Sequence, residues 1–416
     1  MKNPFSSKPM KKIDYKWTVL ALVSVAYFLA QGTRLIYSAV LPQIKAEFAA
    51  DGITDAQLGL VGSAFTLVFG IAMPFAGLAA DMLRRKWILV AGALLFSSGI
   101  FLSGFAAGLG MLFIVYGVMN GVGQALMPPC NTSLISQFHT DTRGTAFSVY
   151  QAAIYLGIVV CSVIAGNLAE TGVGGWRSAF WIFGAIAILW ALVMLVFLKD
   201  TPNVGTRSEV SLGGALKAFF TKPTALLMMG ALGCYFFTTY GVKNWAPMFM
   251  MRIFPDMPSS QAVFHAVFWF YAGAFAGVTL SGRLSDRLKP RRPFIRFEVE
   301  LAGILLCIPF ILIIALTGKL WLMIAALLLF GFATGVYDSN LYAALLEVID
   351  PKYRAMATGI FGCGGCIIGA LGPLVMGILS DAFSIRLAFA ALAVFALAGT
   401  GFILTARLRT AGKDMV

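Results

Sequence analysis

The sequence predicts an all-α membrane protein with twelve transmembrane helices in two pseudo-symmetric six-helix bundles. Three observations lead there. Of the 416 residues, 59% are hydrophobic and only 12% charged, with a mean hydropathy of +0.86. A soluble chain carries about a quarter charged residues. Apolar runs of about 20 residues, long enough to cross ~30 Å of hydrocarbon, recur along the whole chain. The two halves of the chain also repeat one another.

The runs begin at Trp17, Gln57, Trp87, Leu109, Thr145 and Ala179, and again at Thr224, Gln261, Phe297, Leu320, Ala357 and Ile385. The longest polar stretch between runs, 199–222, contains Pro, Gly and Ser and reads as a linker with an amphipathic piece along the membrane surface. It leaves a tail at 1–16, bundles at 17–198 and 223–408, and a second tail at 409–416. Gly77-x-x-x-Asp81 closes the second run and Gly282-x-x-x-Asp286 the eighth, 205 positions on. Arg143 and Arg354 precede the fifth and eleventh runs, and Gly166 and Gly377 open a like motif at their ends, both pairs 211 apart. Within each half the motif falls on opposite membrane sides, the signature of an inverted repeat.

The net charge is +13 and the pI about 9.6. Most Lys and Arg fall in the N-terminal tail, at Arg84–Lys86, within 199–222 and from Arg283 to Arg296. With both termini cytoplasmic, these segments all lie inside, as the positive-inside rule requires. The basicity therefore reports topology in a cell (inner) membrane rather than a nucleic-acid partner. All six Cys lie in apolar runs and there are two His, so neither a disulfide framework nor a metal site is expected. No phosphate-binding loop, zinc motif or nucleophile elbow is present, and neither an enzyme nor a cofactor is expected.

Arg34 stands in the middle of the first run, at a depth where a cation is costly and usually faces a wet cavity. Tyr27, Gln31, Arg34 and Tyr37/Ser38 share one helical face, read as the lining of an anion-binding cavity. The competing reading pairs Arg34 with an acid on another helix. Gln124, Asn131, Gln151, Tyr155, Tyr240 and Asn244 are candidates for hydrogen bonds to substrate. Lys243 is either a second cation for a dicarboxylate or a residue snorkelling to the outer interface. Asp338, well inside the tenth run, is a possible proton-coupling site or a partner of Arg34 or Lys243. Glu298, Glu300 and Glu347 read as interfacial.

Gly77-x-x-x-Asp81-x-x-Arg84-Arg85-Lys86 resembles the cytoplasmic-loop signature of the major facilitator superfamily, and Gly282 to Arg292 is an imperfect second copy. The resemblance covers essentially the whole chain. It implies that Gly77, Asp81, Arg84, Arg85, Gly282 and Asp286, with Arg143 and Arg354, latch the halves together on the cytoplasmic side.

Arg34 followed by Pro42, Tyr240-Gly-Val-Lys-Asn-Trp-Ala-Pro247, and Gly121-x-Gly123 with Pro128 resemble the organic-anion branch, which includes the anion:cation symporters and organophosphate antiporters. Organophosphate members carry a second Arg where this chain has Thr239. Proton-coupled members carry Asp at Thr33 and Glu at Gln124. One Arg matches one carboxylate, so the resemblance implies a transporter of a carboxylate or sugar acid, acting as a monomer. A proton or sodium ion is a possible co-substrate. Export of amphipathic drug-like or lipid-like compounds, or a transporter-like receptor, are the alternatives.

Overall fold

The computed structural model describes residues 15–139, 142–199 and 212–415. Twelve helical segments are long and apolar enough to cross a membrane. Spans 1 to 6 are Tyr15–Glu47, Asp55–Ala80, Arg85–Ser103, Leu109–Phe138, Thr145–Thr171 and Trp176–Phe197. Spans 7 to 12 are Pro223–Ile253, Ser259–Leu288, Ile295–Leu316, Leu320–Leu345, Met356–Ala382 and Ile385–Asp414. Every start falls within three residues of the one read from the sequence. In hydrocarbon the backbone has no water to bond, so helices that satisfy themselves are the available solution. Large apolar side chains such as Val196, Leu316 and Leu397 point outward, as a lipid-facing surface requires. Residues 1–14 and 200–211, with them most of the expected tail and linker, lie outside the described residues. The linker's described part is a short helix, Leu212–Phe220.

The two halves meet most tightly at the end of the bundle away from the chain termini. Span 2 begins there with a capping box, the Thr54 hydroxyl accepting from the Gln57 amide and the Gln57 side chain from the Thr54 amide. Two further amides of its first turn, Asp55 and Ala56, donate to the Asp381 carboxylate of span 11 at 2.8 and 2.7 Å. A carboxylate at a helix N-terminus satisfies open donors and opposes the positive end of the dipole. Asp55 in turn accepts from Arg252 (2.7 Å), Lys45 (2.5 Å) and Ser380 (2.5 Å). Its side chain is 2% exposed. Gly377 makes the approach possible: a Cβ there would stand 2.3 Å from the Asp55 carbonyl oxygen.

The motif on the termini side behaves differently. No described atom outside its own helix lies within 4 Å of where a Gly77 Cβ would sit, and at Gly282 only Ser339 comes near, at 3.9 Å. Asp286 pairs with Arg296 of its own half at 3.7 Å. Arg84 is exposed, and the buried Arg85 leaves Nε and Nη1 without partners, as Arg354 leaves its Nε. The side chains of Asp81 and Arg143 lie outside the described residues. Among the described residues, then, the halves close at the far end, and neither Gly77 nor Asp286 engages the opposite half as the expected cytoplasmic latch would require. The inverted-repeat counterparts hold instead: Gly377-x-x-x-Asp381 against span 2, and Gly166-x-x-x-Glu170 against span 8, where the Glu170 carboxylate accepts from the Ser259 amide.

One acid departs from the sequence reading. Glu300, expected at the interface, is fully buried in the C-terminal half, and neither carboxyl oxygen has a hydrogen-bond partner. Glu347 pairs with Lys289 and with Arg296 (3.1 Å), and Glu298 with Arg407 (3.1 Å).

Gly377→Val should hold the far end open. In a background lacking the native cysteines, Cys introduced at Ser38 should then react several-fold faster with a bulky membrane-impermeant maleimide. Unchanged labelling of a well-folded variant would show that Gly377 does not set the closure.

Candidate anion-binding site

Span 1 is not one helix. It runs from Tyr15 to Thr33, turns at Arg34 and Leu35, and resumes from Ile36 to Glu47. The carbonyls beside the break are taken by side chains: Gln124 and Tyr116 of span 4 donate to Ala30 and Arg34 at 2.8 and 2.7 Å, and Thr33 to Ala30 at 3.0 Å. A buried carbonyl without a donor costs about 1–3 kcal/mol, so these contacts make the interruption tolerable. Span 10 breaks likewise just after Asp338, with Ser339 and Asn340 in a turn before Leu341–Leu345.

Between the halves is a cavity of about 240 Å³. The N-terminal half contributes Gln31 and Arg34 from span 1, Phe65 and Thr66 from span 2, Tyr116 from span 4 and Tyr155 from span 5. From the C-terminal half come Tyr235, Thr239, Tyr240, Lys243 and Asn244 of span 7, Tyr271 of span 8 and Asp338 of span 10. Arg34 lies over the rings of Phe65, Phe69 and Tyr240, its Cζ 5.0, 5.1 and 5.5 Å from their centroids. Its Nη2 is buried and has no hydrogen-bond partner, and neither has Asn244 Nδ2 across the cavity. Among the described residues no carboxylate lies within 4.0 Å of Arg34, against the reading that pairs it with an acid. The wall's buried unpartnered atoms among the described residues, Arg34 Nη2 and Asn244 Nδ2, are donors. They call for an acceptor.

Pro247 shapes the cavity's far end. Lacking an N–H, it leaves the Lys243 carbonyl without its intrahelical donor. Ser38 of the opposite half fills the gap, its Oγ lying 2.8 Å from the carbonyl oxygens of both Lys243 and Asn244. The Lys243 ammonium turns to the rings of Phe270 (5.1 Å) and Tyr271 (5.6 Å) on the cavity side, not to the outer interface.

The structure brings Gln31, Arg34, Tyr155, Thr239, Tyr240, Lys243, Asn244 and Asp338 to one cavity. Several expected residues stand off it, Ser38 at its far end among them. Tyr27 stacks on Tyr150 at 5.0 Å, and Tyr37 is fully buried, donating to the Leu58 carbonyl at 2.8 Å. Gln124 is committed to the break in span 1, and Gln151 is exposed one turn from Tyr155. Asn131 is likewise buried against Tyr150, at 3.1 Å. Missed were the rings of spans 2, 4 and 8, since an aromatic residue in an apolar span carries no sign of facing a cavity rather than lipid.

The family profile of the Major Facilitator Superfamily matches residues 23–314 and 296–414. The chain belongs to the Major Facilitator Superfamily. It is therefore a multi-pass membrane transporter by family and not an enzyme. It is 26% identical over 395 residues to a probable sulfoacetate transporter of Cupriavidus necator, covering 89% of each chain. It is 27% identical over 396 residues to a cis,cis-muconate transport protein of Acinetobacter baylyi, covering 90% of this chain and 91% of that one. Its fold matches the crystal structure of a bacterial homologue of the human lysosomal transporter Spinster, inward-facing and unoccupied. That match has a TM-score of 0.84 and 24% identity, and covers 99% of both chains.

Gln124→Leu should lower the melting temperature of the purified transporter, because the Ala30 carbonyl keeps only its Thr33 donor and loses the one from span 4, at a cost of about 0.5–1.5 kcal/mol. A melting temperature equal to wild type would show that the break needs no support from span 4.

Proposed function

We propose that this transporter carries a small organic anion, a carboxylate or a close analogue, by alternating access, with Arg34 as its principal ligand. The observation that carries this reading is the guanidinium at the break in span 1, half-buried, with an open donor and no acid beside it. A cation in that setting is tolerated when a ligand or water completes it. Asn244 offers a second donor from the opposite half, so one anion bridges the halves. Relatives named for sulfoacetate and muconate transport agree with an anionic cargo.

The wall joins flat aromatic faces to polar groups, and so suits a carboxylate with an apolar or a hydroxylated body. Two of its tyrosine hydroxyls are already committed, Tyr116 to Arg34 and Tyr235 to Thr334, and they offer rings rather than hydrogen bonds. Gln31, Asn244 and the hydroxyls of Tyr155, Tyr240 and Tyr271 supply further polar groups.

The asymmetry between the ends supports alternating access. With the termini cytoplasmic, the Asp55–Arg252–Asp381 closure is external and the cavity is reached from inside. Occupancy would favour release of the external closure and engagement of the Gly77 and Gly282 motifs. Thr33 and Gln124 do not titrate, which leaves Asp338 as the wall's acid for coupling to a proton or sodium ion. The site is complete within one chain, in keeping with a monomer acting in the cell membrane.

Arg34→Gln should weaken carboxylate binding by about 30-fold or more, the loss usual when one member of a desolvated charge pair is removed, while the protein still folds. Thermal shifts of purified wild type and variant against benzoate, a sugar acid, a neutral sugar and a hydrophobic cation check this, because a ligand of the folded state raises the melting temperature. Equal stabilisation of both proteins by carboxylates would remove Arg34 from the site. Stabilisation by neutral or cationic compounds alone would favour export of amphipathic molecules.

A further inference from the structure

The cavity holds a second cation that a single carboxylate leaves unused. Lys243 comes from span 7 of the C-terminal half, Arg34 from span 1 of the other. Among the described residues Lys243 has no carboxylate within 4.0 Å. Its ammonium is half-buried and rests on the rings of Phe270 and Tyr271, while its carbonyl is fixed by Ser38 at the closed end. Arg34 reaches the same wall, lying over Tyr240, one helical turn before Lys243.

Asp338 shares the cavity and offsets one positive charge on paper. The three groups differ in exposure, however: Arg34 and Lys243 are withdrawn among aromatic rings, whereas Asp338 is exposed. A charge open to water acts weakly at a distance, and a charge against low-dielectric walls acts strongly. A ligand between the rings meets both cations at the walls, with Asp338 facing it from the open part of the same cavity.

We propose that the substrate is a dianion: a flat or extended apolar body with an acidic group at each end, one on Arg34 and Asn244, the other on Lys243. This rests on the anion reading of Arg34 given above and adds to it the second charge. The aromatic walls fit the body, since ring faces and methylene or conjugated chains pack without polar partners. Each cation would bind one end as a charge-assisted pair. The two acids come from opposite ends of one molecule because the two cations come from opposite halves of the protein. A cargo of this shape ties the halves together from within, and a monoanion leaves Lys243 unmatched.

The test compares ligands that differ by one carboxylate, benzoate with terephthalate and hexanoate with adipate. Their affinities are measured on the purified full-length transporter by thermal shift and by competition for radiolabelled uptake in proteoliposomes. Wild type is expected to bind each dianion at least tenfold more tightly than its monoanion. In Lys243→Met that ratio should collapse to about one, and in Lys243→Arg, which keeps the charge, it should be largely restored. Equal affinities within each pair in wild type, or a ratio unmoved by Lys243→Met, would overturn the dianion while leaving Arg34 as an anion ligand. Binding of either carboxylate that Arg34→Gln does not weaken would instead overturn the anion reading itself.

Discussion

An uncompensated guanidinium inside hydrocarbon is the constraint on which the rest of the structure depends. Arg34 sits where span 1 leaves the helix, and the surrounding architecture answers the cost of placing it there. Gln124 and Tyr116 take up the carbonyls that the break exposes. Aromatic faces from both halves accept the cation without neutralising it. A carboxylate in their place would have satisfied the charge permanently and removed any need for a ligand. Rings hold it in position and leave a hydrogen-bond donor open. The same principle recurs at Lys243, so the two halves present the cavity with similar solutions from different residues.

Around that centre the two ends of the bundle are built unequally in this conformation. The closed end uses main-chain amides, a shared carboxylate and a glycine contact that admits no side chain. Such a contact fits or fails as a unit, because Gly377 cannot slide past the Asp55 carbonyl without clearing it entirely. The other end carries the matching motif with its glycine facing open space. Two copies of one device, related by the inverted repeat, give the molecule two ends that need not be closed together.

Much of this was legible in the sequence, for identifiable reasons. The spans were visible because hydrocarbon forbids unpaired backbone and imposes long apolar runs. Arg34, Lys243 and Asp338 stood out because ionised groups are rare at that depth, and all three line the cavity. The motif containing Gly377 was found as a repeat, although the side on which it would engage was not evident. What failed has a common cause. A polar residue in an apolar run signals only that it has a partner, and Gln124 found its partner in a main-chain carbonyl. Glu300 carries the same ambiguity: proximity to a helix end pointed to the interface, but tertiary packing buried it. The break at Arg34 has no proline or glycine at its turn, so nothing local announced it.

Pro247 places two tasks at one position without making them compete. The contact that seals the cavity at residue 243 is made through the main-chain carbonyl, which any amino acid would supply. The contact proposed for the cargo belongs to the side chain of the same residue. Exchanging Lys243 for another residue therefore changes the charge of the cavity wall while leaving the seal's hydrogen bond in place. On the proposed role of Lys243, selectivity is in this sense modular: one side chain can change while the hydrogen bond that joins the halves stays.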